Sequence, residues 1–356
     1  MEKLSNKDFT AILINVMYVK LLLAIPRNMI NIAGNAAWLL SIFATLIMLL
    51  LFYILTKLHD FSSPVLNIKS TPWRLIIGII TTITLLLSMA SVVKVYPETV
   101  KIILLKNTPI EIILIIAAIV ASLSAHIGIE PLGRICSLFQ PIAAVISVLC
   151  ILFLIPHMEP TNLTPLLANG GGKIFINGLT AVSGFSDIFL LYILAHNTKE
   201  PKKLIKTGYK AIIIMGVIMT TVMLTYCLIF PSGISQTYLL PIYQMVRLVQ
   251  IGDFFGRFEA FFEFIWSISI LLYYSIYLYT LSVVWQKTFN LPYSKPLIAP
   301  FMAIISLIVY LSGPYVQLNK NYVWYASVLI AATGIIPLIS TFIKKGEERM
   351  QNNENP

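Results

Sequence analysis

The chain has 356 residues, of which 58% are hydrophobic and only 11% are charged. Soluble domains carry about 25% charged residues, so this composition excludes a soluble globular protein and marks an integral membrane protein. The net charge of +10 comes with no nucleic-acid-binding motif, and fits basic loops beside anionic lipid rather than a nucleic-acid partner.

Hydropathy predicts ten membrane-spanning helices at 9–26, 35–56, 73–95, 109–128, 134–156, 174–196, 208–231, 257–284, 294–313 and 322–343. Each is long enough for a hydrocarbon core ~30 Å thick at 1.5 Å per residue. The first segment follows a short polar start of mixed charge with no small-residue cleavage site, so no removable leader is expected. It carries Lys20, eleven residues after Phe9 and therefore ~16 Å deep. A charge at that depth costs at least ~2.5 kcal/mol and survives against a partner, a cavity or a ligand. Pro26 and Arg27 close this helix in the sequence reading: proline disfavours helix in the residue before it, which places a break near Ile25 and Arg27 at the outer rim.

A tight polar turn with His126, Glu130, Pro131, Gly133 and Arg134 divides the fourth and fifth segments. An outer loop at 157–173 ends in three glycines before helix six. Helix six contains Ser183-Gly184-Phe185-Ser186-Asp187, with Asp187 at a depth comparable to Lys20. Such a stretch offers free backbone groups when it unwinds. As a plain packing face it would not account for the carboxylate. Residues 232–256 show near-helical apolar spacing and read as a short helix over the outer mouth.

Helix eight opens with Arg257, Glu259 and Glu263, the two acids sharing one face. Arg257 caps the outer end and pairs with Glu259, while Glu263 is a candidate for ion or proton coupling alongside Asp187. Tyr273, Tyr274, Tyr277 and Tyr279 read as packing and an interfacial belt. Residues 344–356 form a polar tail lacking its own structure, leaving one transmembrane domain over 1–343. With the N-terminus inside, sixteen of the 25 basic residues fall on the inner side and eight on the outer, which places both termini in the cytoplasm. Cys136, Cys150 and Cys227 read as buried hydrophobes. The four histidines lack ligand spacing, so neither a metal nor a cofactor is expected, and no motif supports an enzyme.

Helices one and six are the equivalent first helices of two five-helix halves, the pair that breaks to form the substrate site in one large transporter architecture. The candidate ligand-contacting residues are therefore Lys20, Leu23 and Ala24 on helix one, with Ser183, Gly184, Ser186 and Asp187 on helix six.

Several motifs together resemble the B subunits of bacterial spore germinant receptors, permease-like members of the amino acid–polyamine–organocation (APC) superfamily. They are LLLAIPR at 21–27, Asn162-Leu163-Thr164-Pro165-Leu166-Leu167 followed by Gly170, and GLTAVSGF at 178–185. Arg257-Phe258-Glu259 with Phe262 and Trp266, then Lys287-Thr288-Phe289 and Leu291, complete the series. The resemblance implies an all-α, ten-helix, five-plus-five inverted-repeat fold of the LeuT type with helices one and six discontinuous. It also implies the inner spore membrane, A and C subunits as partners, and a small nutrient, often an amino acid, as ligand. Pro26, Arg27, Arg257, Glu259 and Trp266 fall in the matching motifs and become structural or gating candidates. One departure stands out: family members place small residues in mid-helix one, where this chain has Val19-Lys20-Leu21. Lys20 then binds a ligand carboxylate, marks an altered pocket, or pairs with Asp187 and fills the pocket itself. The leading function is a nutrient sensor, followed by a proton-coupled amino acid transporter with Asp187 or Glu263 taking the proton, and by a ligand-free structural subunit.

Overall fold

Nearly every ordered segment is helical, because backbone groups in hydrocarbon must be satisfied within their own segment. The computed structural model describes all residues except 1–2, 22–23, 59–65, 166–169, 199, 239, 250–257, 312–321 and 355–356. Its helices are α1 (Asn6–Leu21), α2 (Ala24–Ala33), α3 (Ala37–Leu58), α4 (Thr71–Ile103), α5 (Ile110–Ile127), α6 (Ile129–Leu154) and α7 (Gly171–Gly178). They continue as α8 (Phe189–Ile193), α9 (Leu204–Ile229), α10 (Ser232–Ser235), α11 (Pro241–Val246), α12 (Phe258–Phe289), α13 (Ile298–Leu311) and α14 (Tyr322–Glu354). The described residues of the ten apolar segments are predominantly helical. Among the described residues, eight helical stretches are long and apolar enough to cross a membrane, with α2 and α3 counted as one stretch.

Burial sorts these helices into a centre and a lipid-facing shell. The apolar window of helix six is 94% buried and that of α12 is 83%, against 22% for α6. Leu123, Leu138 and Phe342 on the shell expose apolar side chains, which lipid covers at no cost. Small residues bring the helices together. A Cβ on Gly216 of α9 would lie 2.3 Å from Thr45 Cγ2 on α3, and one on Gly208 the same distance from Phe52 Cζ.

Helix one differs from its sequence reading. It does not end at Pro26: residues 24–33, Pro26 among them, are helical, and the two residues after Leu21 lie outside the described ones. Arg27 is thus inside a helix instead of at its rim. The turn between the fourth and fifth segments is also shorter than expected. Gly128, at φ 109°, separates α5 from α6, while Pro131 and Arg134 are helical and Glu130 pairs with Arg134 at 2.7 Å. The polar residues after 343 continue as helix to Glu354 instead of forming a loose tail, and Glu347 docks by accepting hydrogen bonds from the Lys69 and Ser70 amides.

The short helix expected over 232–256 is present as α10 and α11, and α11 packs on α2, α9 and α12. At the opposite end, Leu4 forms a parallel bridge to Thr198, and Asn6 donates to Glu200. The start of the chain is therefore fastened to the end of helix six.

Candidate functional site

Helix six is the least regular span. α7 gives way at Leu179 to a ten-residue 3-10 helix ending at Ile188, then to the single-turn α8. Runs of 3-10 beyond three or four residues are uncommon and mark hinges or strain. Gly184 lies within this stretch because α2 crosses it closely: a Cβ there would come 2.9 Å from Ile25 Cδ1. The sequence correctly places an irregular backbone here, but it takes the form of a tightened helix instead of an unwound segment.

At the same depth α1 delivers Lys20. Its ammonium donates to Asp187 Oδ1 at 2.7 Å, Ser88 Oγ at 2.9 Å and Ser186 Oγ at 3.1 Å. Those are all three of its donors. Asp187 Oδ1 also accepts from the Tyr277 hydroxyl and, at 3.2 Å, from Ser88 Oγ. Tyr273 stacks on Tyr277 with ring centroids 4.3 Å apart, and its hydroxyl donates to the Ser88 carbonyl at 3.2 Å. Thr333 of α14 donates to the Ser186 carbonyl at 3.3 Å. Five segments (α1, α4, the 3-10 stretch, α12 and α14) thus meet at one ion pair.

The pair is closed to solvent, with Lys20 5% and Asp187 1% exposed. In such surroundings each charge depends on the other, because an uncompensated buried ion costs several kcal/mol. Asp187 Oδ2 is buried and accepts no hydrogen bond from the described residues. A void of about 10 Å³ lies against Asp187, Ser88, Tyr277 and Thr333, room for one water and far below the ~300 Å³ of a small-molecule pocket. Of the three readings of Lys20, direct pairing with Asp187 is the one the geometry shows.

The remaining candidates are dispersed. Ser183 donates to the Thr180 carbonyl of its own helix. Leu23 and Arg257 lie outside the described residues, and Ala24 begins α2. Glu263 is 3% exposed with Oε1 unbonded, but sits fourteen residues from Tyr277, ~21 Å along α12. Arg27 is half-buried, with Nε and Nη1 enclosed and unbonded. Glu259 is half-buried at the start of α12, and Trp266 packs edge-on against Tyr96. Sequence reasoning missed Ser88, and assigned Tyr273 and Tyr277 to packing or a belt. Their i, i+4 spacing, which puts both rings on one face, was the available signal.

The chain matches the family model described as "Spore germination protein" over residues 3–314. It is similar to the spore germination protein YndE of Bacillus subtilis (strain 168), at 24% identity over 233 residues. That match covers 62% of this chain and 61% of the relative, so it spans less than two thirds of that protein. Among solved structures it resembles a manganese transporter of Eremococcus coleocola at a TM-score of 0.58 and 13% identity, covering 95% of this chain and 75% of that one. The irregular sixth helix and this likeness establish the transporter-like, LeuT-type fold. With the family model spanning most of the sequence, the chain belongs to the spore germination permease family of multi-pass membrane proteins.

Proposed function

We propose that this protein is the nutrient-sensing subunit of a spore germinant receptor, and that a nutrient acts by separating Lys20 from Asp187. The observation that supports this reading most is the placement of that buried pair on the first and sixth spans, with hydrogen bonds from α4 and α12. A ligand shifts a two-state equilibrium only through differential affinity. An amino acid carries both an ammonium and a carboxylate, so it can replace each partner's lost contact as the pair opens. Opening the pair releases contacts in five segments at once. In this proposal A and C subunits receive that change, no chemical reaction is catalysed, and the protein lies in the inner spore membrane with both termini toward the core.

The test is germination of spores carrying Lys20→Ala or Asp187→Asn across a nutrient panel, with subunit abundance followed by immunoblot. A shifted concentration requirement for a nutrient at unchanged abundance supports the sensor. Unchanged responses at unchanged abundance assign the pair to structure, and point to a subunit that serves assembly alone. A second reading, proton-coupled amino acid transport, draws on Glu263, whose buried Oε1 has no hydrogen-bond partner. Concentrative uptake by the purified protein in liposomes, driven by a pH gradient and lost in Glu263→Gln, would favour it.

A further inference from the structure

On the side of the bundle where the termini lie, a cavity of about 960 Å³ opens between the start of α4, the end of helix six, the end of α12 and the residues leading into α13. Three cations line it: Arg74, Lys287 and Lys295. Arg74 donates through Nε to the Thr288 carbonyl at 3.3 Å, which leaves its other four donors. Among the described residues no carboxylate reaches any of the three within salt-bridge distance. Lys344 adds its own charge to the field at Lys287.

The same face shows what ordinary neutralisation looks like. Lys203 pairs with Glu200 at 2.6 Å and Arg134 with Glu130 at 2.7 Å. Glu347, an acid beside the start of α4, is already engaged by the Lys69 and Ser70 amides. Amide side chains of Asn67, Gln286 and Asn290 line the cavity where acids would otherwise balance the charge. Cations gathered in one walled space repel each other and raise the local concentration of anions. The volume lies at the upper end of the range for small-molecule sites.

We infer that this vestibule binds a small multivalent oxyanion, phosphate-bearing in chemistry, which bridges Arg74 of α4 to Lys287 of α12 and Lys295 beyond it. Those two helices also carry Ser88 and Tyr277 to Asp187, so the bound anion braces the closed pair from one end of the bundle. The phosphate can come from a solute or from the headgroup of an anionic lipid.

The experiment uses the full chain in phosphatidylcholine nanodiscs, with pyrophosphate added at constant ionic strength made up with chloride. A saturable rise of ~5 °C in Tm at a hundredfold excess over Kd is expected. Lys287→Gln with Lys295→Gln abolishes the rise, the double arginine variant retains it, and Arg134→Gln leaves it intact. An equal rise with chloride alone, or in the double glutamine variant, overturns the proposal. In phosphatidylglycerol nanodiscs, a headgroup in the site raises Tm without pyrophosphate, removes the further response, and loses that gain in the glutamine variant. Persistence of the pyrophosphate response there identifies a soluble anion as the occupant.

Discussion

Lys20 has no spare hydrogen-bonding capacity, and this saturation governs what substitution does. Asp187→Asn leaves an ammonium buried without its counter-charge, and Lys20→Met leaves a carboxylate in the same position. Each should cost ~3–5 kcal/mol of stability, seen as a large drop in Tm in detergent. Combining Lys20→Met with Asp187→Leu removes both charges and should restore much of the loss. A double variant as unstable as the sum of the singles would show that the two charges do not depend on each other. Tyr277→Phe deletes a neutral donor to a charged acceptor, for an expected loss of ~1.5–3 kcal/mol. Tyr273→Phe, whose hydroxyl meets a backbone carbonyl, should cost nearer ~1 kcal/mol. The two charges were legible in the sequence because a charge inside an apolar run stands out against its neighbours, while their direct pairing was one of three open readings. The hydroxyls around it were not, since serines and tyrosines satisfy themselves locally in many membrane helices and carry no such contrast.

At the level of elements, helix contact rests on glycines that the sequence does not distinguish from one another. Gly216→Val drives a side chain into Thr45 and should destabilise by ~1–3 kcal/mol. Gly334→Ala on α14 meets nothing within 4 Å, and should be neutral or gain up to ~1 kcal/mol in helix propensity. Equal effects of the two in a thermal unfolding assay would sink this account of α3–α9 packing. The 3-10 stretch makes a second case. Despite complete burial, its amides from Thr180 to Ile188 should exchange hydrogen faster than those of mid-α12, because 3-10 geometry gives poorer hydrogen bonds. Exchange as slow as in α12 would contradict the hinge reading. The end of helix one was misread because proline signals both an end and a beginning, and only the helical residues on both sides of Pro26 decide between them. The α5–α6 boundary was placed late because Pro131 reads as a breaker where it is tolerated early in a helix.

Across the whole molecule, class and architecture were open to reading, since ten apolar runs in a weakly charged chain leave few alternatives. Helix regularity was less so: the 3-10 stretch of the sixth span is as apolar as its neighbours, so apolar windows alone do not reveal it. The vestibule was invisible for a different reason. Arg74, Lys287 and Lys295 are far apart in sequence and looked like three ordinary inner-face charges until folding set them around one space.

The fastening of Leu4 to Thr198 carries a mechanical consequence. It joins α1 to the end of helix six sixteen residues away from where Lys20 joins the same two segments. Two struts at two heights remove the freedom of either piece to swing alone, as cross-members do in a truss. Breaking the upper strut still leaves the lower one as a pivot. The inner portions of the two helices then scissor about the Leu4–Thr198 end, and clipping the first five residues would convert that scissoring into independent drift.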